Sequence, residues 1–214
     1  TINGNEAILQ MEQAGDYPDI IVGCTGGGSN LSGLMFPFLG QQLRGGQKID
    51  IIGCEPLSCP SFTKGKYAYD HGDMARMTPL IKMHTLGSDF LPPATHSGGL
   101  RYHGMSYHLS HLYDLGLMRA KAYGQKDCFE AGVIFGKQEG IIPAPEGNHA
   151  VKGAIDAALE CKEKGESKTI LFNLCGHGHF DLTGYDDYFS GRLAEDFYDE
   201  DTANKSLSAL PEIA

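Results

Sequence analysis

The chain has 214 residues and a net charge of −10, with 41% hydrophobic and 21% charged residues. These values are ordinary for a globular domain, and the scattered basic residues argue against nucleic-acid binding, which recruits clustered lysine and arginine. No apolar run approaches the roughly 18 residues of a membrane-spanning helix, so neither a nucleic acid nor a membrane is predicted as a partner. The six cysteines lack C-x-x-C spacing, which favours reduced, mostly buried thiols in a cytoplasmic protein.

The N-terminal part of the chain predicts a β-α-β unit. "NGNEAILQMEQAG" predicts a helix capped by Asn3 or Asn5 and closed by Gly15. "YPDIIVGC" predicts a strand, and "LSGLMFPFLGQQL" predicts a helix that Pro37 ends or kinks in its first turns. "QKIDIIGCEP" predicts a second strand that stops at Pro56. This order is typical of an α/β fold, with a parallel twisted sheet flanked by helices.

The middle of the chain, about residues 57–113, shows weak periodicity and many glycine, proline, histidine, methionine and tyrosine residues. Long irregular segments in compact domains are usually functional or disordered, and this composition favours a packed, functional insertion. "LMRAKAY" then predicts a short strand.

Two helices and a strand are predicted next. "DCFEAGVIFGKQEG" predicts a helix with Asp127 as its cap and Gly140 as its stop. "GNHAVKGAIDAALECKEKG" predicts the clearest helix, because its apolar residues recur on one face before Gly165. "KTILFNLCGHGHFD" predicts a third buried strand that runs into a glycine-containing turn.

The C-terminal part is acidic. Residues 1–185 are predicted to form the α/β domain, and residues 186–214 a tail made of a surface helix and a loose end. The acidic residues of this tail are Asp186, Asp187, Glu195, Asp196, Asp199, Glu200, Asp201 and Glu212.

The "GCTGGGSN" stretch follows the first strand and precedes a helix. Such a loop lies at the carboxyl edge of a parallel sheet, where helix N–H groups and the helix dipole attract an anion. The loop lacks both G-K-[ST] and G-x-G-x-x-G, so a single small phosphate fits better than ATP or NAD. The alternative is a tight turn without a ligand.

Two further groups of residues could contribute chemistry. Glu146 follows Pro143 and Pro145 and lies just before the long helix, where it is either a site residue or an acid favoured by the helix dipole. The turn with His177, His179 and Asp181 allows a metal site, but no second cluster of ligands is visible, and the same turn could instead lie beside a bound ring.

These segments occur in an order that resembles one enzyme family. "GCTGGGSNLSG", "CEPLSCPSFTKGKYAYDHGDMARMTPLIKMHTLG", "HSGGLRYHGMSYHLS", "EGIIPAPEGNHA" and "ILFNLCGHGHFDL" closely resemble the type 2 tryptophan synthase β-chain-like proteins. These are enzymes of fold type II that depend on pyridoxal 5′-phosphate (PLP). The resemblance covers the chain from Thr1 to about Tyr188.

The resemblance implies the roles of several residues. The loop that matches the family's binding site for the PLP phosphate comprises Gly26, Gly27, Gly28, Ser29 and Asn30. Glu146 matches a glutamate beside the cofactor ring, and this resemblance implies a site role for it.

Cys175, followed by Gly176, falls where the family usually has a serine that hydrogen-bonds the pyridine nitrogen, and both are counted among the residues that bind the cofactor. A thiol keeps the neutral character of that contact but forms weaker hydrogen bonds. Gly98–Tyr102 match a loop that helps to form a monovalent-cation site in ordinary β chains. Arg101 replaces an acid there, so the resemblance leaves a monovalent cation open as a second cofactor beside PLP.

A PLP enzyme needs a lysine that forms a Schiff base with the cofactor. The family's lysine lies in the N-terminal half, and no lysine here has a matching context. The resemblance therefore implies that this chain is the C-terminal half of a longer protein, beginning near Thr1, and that this half alone is inactive.

The implied reaction is a β-replacement that joins L-serine and indole to give L-tryptophan. The implied partners are the N-terminal half of the same protein and a second copy in a homodimer, whereas association with a tryptophan synthase α subunit stays open. Two alternatives remain: another fold-type-II activity such as a serine or threonine deaminase, and a non-catalytic fold remnant or interaction domain.

Overall fold

The computed structural model describes residues 1–194 and 197–212. Its strands are β1 (Ile20–Cys24), β2 (Asp50–Pro56), β3 (Lys66–His71), β4 (Leu80–Thr85), β5 (Arg119–Tyr123) and β6 (Ile170–Phe172). Its helices are α1 (Ile2–Ala14), α2 (Ser29–Leu43), α3 (Tyr107–Asp114), α4 (Gln125–Glu139), α5 (Pro145–Lys164), α6 (Leu182–Phe189) and α7 (Glu200–Ser208). In this part of the chain, no helix is long and apolar enough to cross a membrane.

Four strands form a parallel sheet in the order β5-β2-β1-β6, which confirms the predicted α/β fold. Successive side chains of a strand point to opposite faces. Ile21 and Ile51 therefore pack on one face with α1, α2 and α3, whereas Val22 and Ile52 pack on the other face with α4 and α5. Two apolar cores result, one on each side of the sheet.

The first helix begins earlier than expected. Thr1 is its N-cap residue, and the predicted caps Asn3 and Asn5 lie inside the helix. The reason is tertiary, because α1 packs so closely on α2 that a Cβ atom on Gly4 would clash with the Leu34 carbonyl oxygen. Gly15 ends the helix as predicted, in the left-handed conformation with φ of 68°.

The second helix continues through Pro37 to Leu43, so Pro37 does not end it. Packing compensates for the hydrogen bond that a proline removes. Met35, Phe38 and Leu39, which surround Pro37 in the sequence, are all buried in the core beneath α2.

The helices around residues 125–165 differ from prediction at their beginnings. Gly124 precedes α4, and Asp127 lies in its first turn rather than at the cap. The next helix, α5, begins at Pro145, so Glu146 belongs to its first turn. Gly140 and Gly165 end the two helices in the left-handed conformation, as predicted.

The strand β6 has only three residues, and it is partly buried rather than fully buried as predicted, because it lies at one edge of the sheet. The central position, covered on both sides, belongs to β1 and β2.

The middle segment contains regular structure that the sequence pattern did not reveal. It contains the antiparallel pair β3 and β4, a 3₁₀ turn at Gly98–Leu100 and helix α3. The structure of this segment depends on long-range contacts, such as the hydrogen bond that the His84 backbone N–H donates to Ser110 Oγ at 2.9 Å.

The C-terminal part contains two described helices rather than one. α6 runs across the boundary predicted at residues 185 and 186, and α7 is capped by Asp199, whose side chain accepts a hydrogen bond from the Thr202 N–H. The predicted tail also includes residues 195, 196, 213 and 214, which lie outside the described residues.

Candidate cofactor site

The glycine loop follows β1, the strand at which the order of strand addition in the sheet reverses. The chain passes from β1 to β2 on one side, whereas β6 pairs with β1 on the other side. In open α/β sheets, ligands bind in the crevice outside the carboxyl ends of the strands at such a point. The topology therefore favours the same site as the sequence.

The three glycines of the loop differ in how much room surrounds them. A Cβ atom on Gly26 would lie 2.7 Å from the Gly99 carbonyl oxygen, so the loop packs directly on the 98–100 turn. Gly28 has a φ of 93°, and a Cβ atom there would lie 2.8 Å from the Met105 sulfur. Gly27 is different, because it is exposed and nothing lies within 3.6 Å of a Cβ atom built on it. Gly27 is therefore where the loop faces open space.

The N-terminus of α2 has free donors. Gly28 is its N-cap residue, no side chain accepts a hydrogen bond from the first turn, and no acidic residue lies there. The first N–H groups of a helix lack intrahelical partners and carry the positive end of the helix dipole. Asn30 is held in this turn, since Asn173 Nδ2 donates to its Oδ1 at 2.7 Å. This end of α2 is suited to an anion.

Glu146 reaches the same region from α5. The Gly99 backbone N–H donates to Glu146 Oε1 at 2.8 Å. The start of α5 is itself tied to the turn after β6, because the Ala144 N–H donates to the Gly176 carbonyl oxygen at 2.9 Å. Glu146 thus connects α5 to the 98–100 turn on which the glycine loop packs.

Cys175 lies after the end of β6, with its sulfur 3.4 Å from that of Cys24 at the end of β1. Cys24 is buried, whereas Cys175 is half-buried. The hydrogen bond between them lowers the pKa of Cys175, whereas the same hydrogen bond and burial raise the pKa of Cys24. Cys24 therefore holds its proton more firmly than Cys175 does.

These groups surround a cavity of about 250 Å³. Most predicted site residues meet there. Gly176 does not line the cavity, but its carbonyl oxygen accepts the hydrogen bond from the Ala144 N–H. The lining residues are Cys24, Gly26, Gly27, Gly28, Ser29, Asn30, Gly99, Leu100, Ala144, Glu146 and Cys175.

Cys24 and Ala144 were missed by the sequence reasoning. Cys24 ends an apolar strand, which is also the pattern of an inert buried thiol, so only its position directly before the glycine loop could have indicated it.

The other predicted candidates lie outside the cavity. The Arg101 guanidinium donates to the Pro92 carbonyl oxygen at 2.5 Å. His177 and His179 are exposed with ring centroids 4.7 Å apart, and Asp181 is the N-cap residue of α6. Among residues 1–194 and 197–212, no group of three histidine, cysteine or acidic side chains could hold a metal ion.

Comparison with known families identifies the family of the chain. A family model described as pyridoxal-phosphate dependent enzyme matches residues 4–176, a span that includes the whole cavity. The chain belongs to the pyridoxal-phosphate dependent enzyme family.

Curated relatives of this pyridoxal-phosphate dependent enzyme chain include tryptophan synthase beta chains. The chain is 56% identical over 193 residues to tryptophan synthase beta chain 2 of Methanosarcina mazei, and the match covers 90% of this chain and 44% of that protein. It is 56% identical over 198 residues to tryptophan synthase beta chain 2 of Aquifex aeolicus, covering 91% and 46%. The tryptophan synthase beta chain of Pyrococcus horikoshii is 49% identical over 211 residues, covering 99% and 45%. The chain thus spans slightly less than half the length of these relatives, and the resemblance found in its sequence is confirmed.

A solved structure with a similar fold is a fungal L-serine ammonia-lyase from Rhizomucor miehei. The TM-score is 0.63, and the match covers 89% of this chain and 56% of that one. At 15% sequence identity the likeness concerns the fold alone.

The residues of the cavity fit the cofactor that defines the family. The start of α2 offers unpaired N–H groups without an acidic side chain in its first turn, which suits a phosphate. The Gly27 position leaves room for a close approach. The thiol of Cys175 is a weak hydrogen-bonding group suited to a pyridine nitrogen. No lysine is among the described residues that line the cavity.

Proposed function

We propose that this chain provides the phosphate-binding and ring-binding part of the PLP site in an enzyme of the tryptophan synthase β type. The proposed reaction is the β-replacement that joins L-serine and indole to give L-tryptophan. One observation supports this proposal above the others: residues from β1, α2, α5 and the end of β6 meet around one cavity, although they are far apart in the sequence. The names of the relatives support the reaction.

The phosphate is proposed to bind at the start of α2. The backbone N–H groups of Gly27, Gly28 and Ser29 are the donors, with the Ser29 and Asn30 side chains beside them. The exposed Gly27 allows contact with the backbone, and Gly26 and Gly28 hold the loop in shape through their packing on the 98–100 turn and α3. The positive end of the α2 dipole stabilises the negative charge.

The ring is proposed to lie between Glu146 and Cys175. The carboxylate of Glu146 holds the 98–100 turn through the Gly99 N–H, and this contact fixes one wall of the cavity. Cys175 offers a neutral thiol to the pyridine nitrogen. When bound, PLP supplies the electron sink that β-replacement requires. The lysine that links the cofactor covalently is proposed to come from the N-terminal half of the same protein.

A charge change at Gly27 tests the proposed phosphate site. Gly27→Asp and Gly27→Asn add side chains of the same size where a Cβ atom has room, so both variants should fold. We expect Gly27→Asp to weaken PLP binding by about tenfold relative to Gly27→Asn, because a carboxylate a few ångströms from a phosphate repels it. Equilibrium dialysis of the chain with PLP measures both affinities. Equal affinities for the two variants, or no binding by the unaltered chain, would contradict the proposal.

The origin of the covalent lysine can be tested on the chain alone. After incubation with PLP and reduction with borohydride, peptide mapping should find no single lysine that is labelled stoichiometrically. Labelling of one specific lysine of this chain would show that the covalent link does not depend on an N-terminal half.

The reaction itself is tested in a protein that contains this chain together with its N-terminal half. Formation of tryptophan from L-serine and indole is the expected result. Release of pyruvate from L-serine alone would favour a deaminase. The absence of both products, without retained PLP, would favour a non-catalytic fold remnant or interaction domain.

A homodimer is proposed as the assembly. An apolar cavity of about 690 Å³ lies between the end of α2, the β3–β4 pair and α3, and it includes the exposed side chains of Leu43 and Leu80. Apolar surface of this kind is typical of an interaction site.

A further inference from the structure

Cys24 and Cys175 are 151 positions apart in the sequence, and their sulfur atoms are 3.4 Å apart in the structure. They follow the paired parts of two neighbouring parallel strands, since Val22 of β1 pairs with Phe172 of β6. The ladder continues to residue 173, because the Asn173 N–H donates to the Val22 carbonyl oxygen at 3.1 Å. This register would place Cys24 opposite residue 174, so the turn after β6, rather than strand pairing, brings the Cys175 sulfur to that of Cys24.

The two sulfur atoms lie close enough for a small movement to bring them to bonding distance. The sulfur atoms, now 3.4 Å apart, must approach by about 1.4 Å to reach a disulfide bond length. Rotation of the two side chains can supply this movement without a change of strand pairing.

We propose that Cys24 and Cys175 form a reversible disulfide at the carboxyl end of β1 and β6, on the wall of the candidate cofactor site. The oxidant is a hydroperoxide, of which hydrogen peroxide is the smallest. Both cysteines line the cavity, which is wide enough to admit a molecule of this size.

Cys175 is the thiol that reacts first. It is half-buried, whereas Cys24 is 3% exposed. Its pKa is lowered by the hydrogen bond with Cys24, and thiolates rather than thiols are the nucleophiles.

The Cys175 thiolate attacks one oxygen of hydrogen peroxide, and the O–O bond breaks. Hydroxide leaves and takes up the proton that Cys175 has lost, which gives water and a sulfenic acid on Cys175. The Cys24 sulfur then attacks the Cys175 sulfur, and the S–O bond breaks. The hydroxyl group leaves with the Cys24 proton as a second water. Two thiols and one peroxide thus give one disulfide and two waters, with two electrons transferred from the sulfur atoms to the peroxide.

The disulfide changes the wall of the cavity. It draws the Cys175 sulfur toward Cys24 and removes both S–H groups. If the proposed function is correct, the oxidised chain has lost its hydrogen-bonding group for the pyridine nitrogen and binds PLP more weakly. The formation of the bond itself does not depend on the proposed function.

Peptide mapping tests the bond directly. The chain is treated with hydrogen peroxide, remaining thiols are alkylated, and the digest is analysed by mass spectrometry without a reductant. We expect the peptides of Cys24 and Cys175 to be linked with a loss of two hydrogen atoms, and dithiothreitol to restore both thiols. Cys175→Ser, which offers the cofactor a hydroxyl group, and Cys24→Ser should each abolish the link. Cys161→Ser, which changes a buried thiol on α5 away from the cavity, should leave it unchanged.

Two results would overturn the proposal. One is alkylation of both Cys24 and Cys175 after peroxide treatment, and the other is oxidation of Cys175 to the sulfinic acid without a link to Cys24. PLP binding is measured separately by equilibrium dialysis of reduced and oxidised chain, with an expected weakening of about tenfold on oxidation. A reduced chain that does not bind PLP would count against the proposed function, whereas the mapped link would still decide the disulfide.

Discussion

At the scale of single residues, the fold buries a carboxyl group completely. Glu55 belongs to β2 and accepts hydrogen bonds from the backbone N–H groups of Phe62 and Thr63 at 2.8 and 2.9 Å and from Thr63 Oγ1 at 2.7 Å. These bonds fix the segment that follows β2. Burial raises the pKa of Glu55 to about 7, because desolvation of the charged form outweighs the hydrogen bonds that favour it.

This shift predicts a pH dependence of stability. The folded state holds the Glu55 proton up to about pH 7, whereas an unfolded chain releases it near the ordinary glutamate pKa of 4.5. The protonated Glu55 therefore contributes on the order of 3 kcal/mol to the free energy of unfolding. This contribution is fully present below pH 4.5 and is lost as the pH rises to about 7. Urea unfolding at several pH values measures it. Glu55→Gln, which cannot titrate, should show a flatter profile, and equal slopes in both proteins would disprove the assignment.

At the scale of elements, the contact of α5 with the sheet depends on a glycine. A Cβ atom on Gly153 would clash with the Cys54 sulfur and lie 2.9 Å from Val22 Cγ1. α5 therefore lies directly on β1 and β2 at this point. The close contact also fixes the beginning of α5, and with it Glu146, relative to the glycine loop that follows β1.

Replacement of Gly153 by alanine should destabilise the protein, although alanine is usually preferred over glycine in helices. Alanine stabilises an exposed helix position by about 1 kcal/mol over glycine, but overpacking of a core costs about 1–3 kcal/mol. We expect Gly153→Ala to lower the midpoint of urea unfolding. Gly136→Ala in α4, where a Cβ atom has its nearest neighbour at 3.4 Å, should leave it unchanged or raise it. A higher midpoint for Gly153→Ala would show that α5 can move away from the sheet without cost.

At the scale of the whole molecule, the chain exposes an apolar groove. The groove, defined here as the cavity of about 690 Å³ between α2, the β3–β4 pair and α3, lies on the side of the molecule formed by the middle segment. Leu43 is 63% exposed there and Leu80 is 39% exposed. Burial of such side chains against a second copy would stabilise the proposed homodimer.

The groove predicts how association responds to charge. Leu43→Glu together with Leu80→Glu should weaken self-association by at least about tenfold, because association would bury two unpaired carboxylates. Sedimentation velocity over a range of concentrations measures the dissociation constant. Leu91→Glu is the matched control, since Leu91 is 64% exposed and does not line the groove. Equal effects of the double variant and the control would locate the contact elsewhere.

The sequence was sufficient where structure depends on neighbours along the chain. Apolar runs separated by helical patterns indicated the parallel sheet, and Gly15, Gly140 and Gly165 end helices as predicted because the left-handed conformation favours glycine. The position of the glycine loop after β1 was likewise readable from the sequence.

Where the outcome depends on residues far apart in the chain, only the tertiary structure decided it. Helix α2 continues through Pro37 because the surrounding core residues hold it, and the β3–β4 pair forms without a clear alternating pattern. The hydrogen bond from Gly99 to Glu146 joins residues 47 positions apart. The contact between Cys24 and Cys175 joins residues 151 positions apart. Local sequence determines which backbone conformations a segment prefers, but which side chains meet depends on how the sheet, helices and turns pack together.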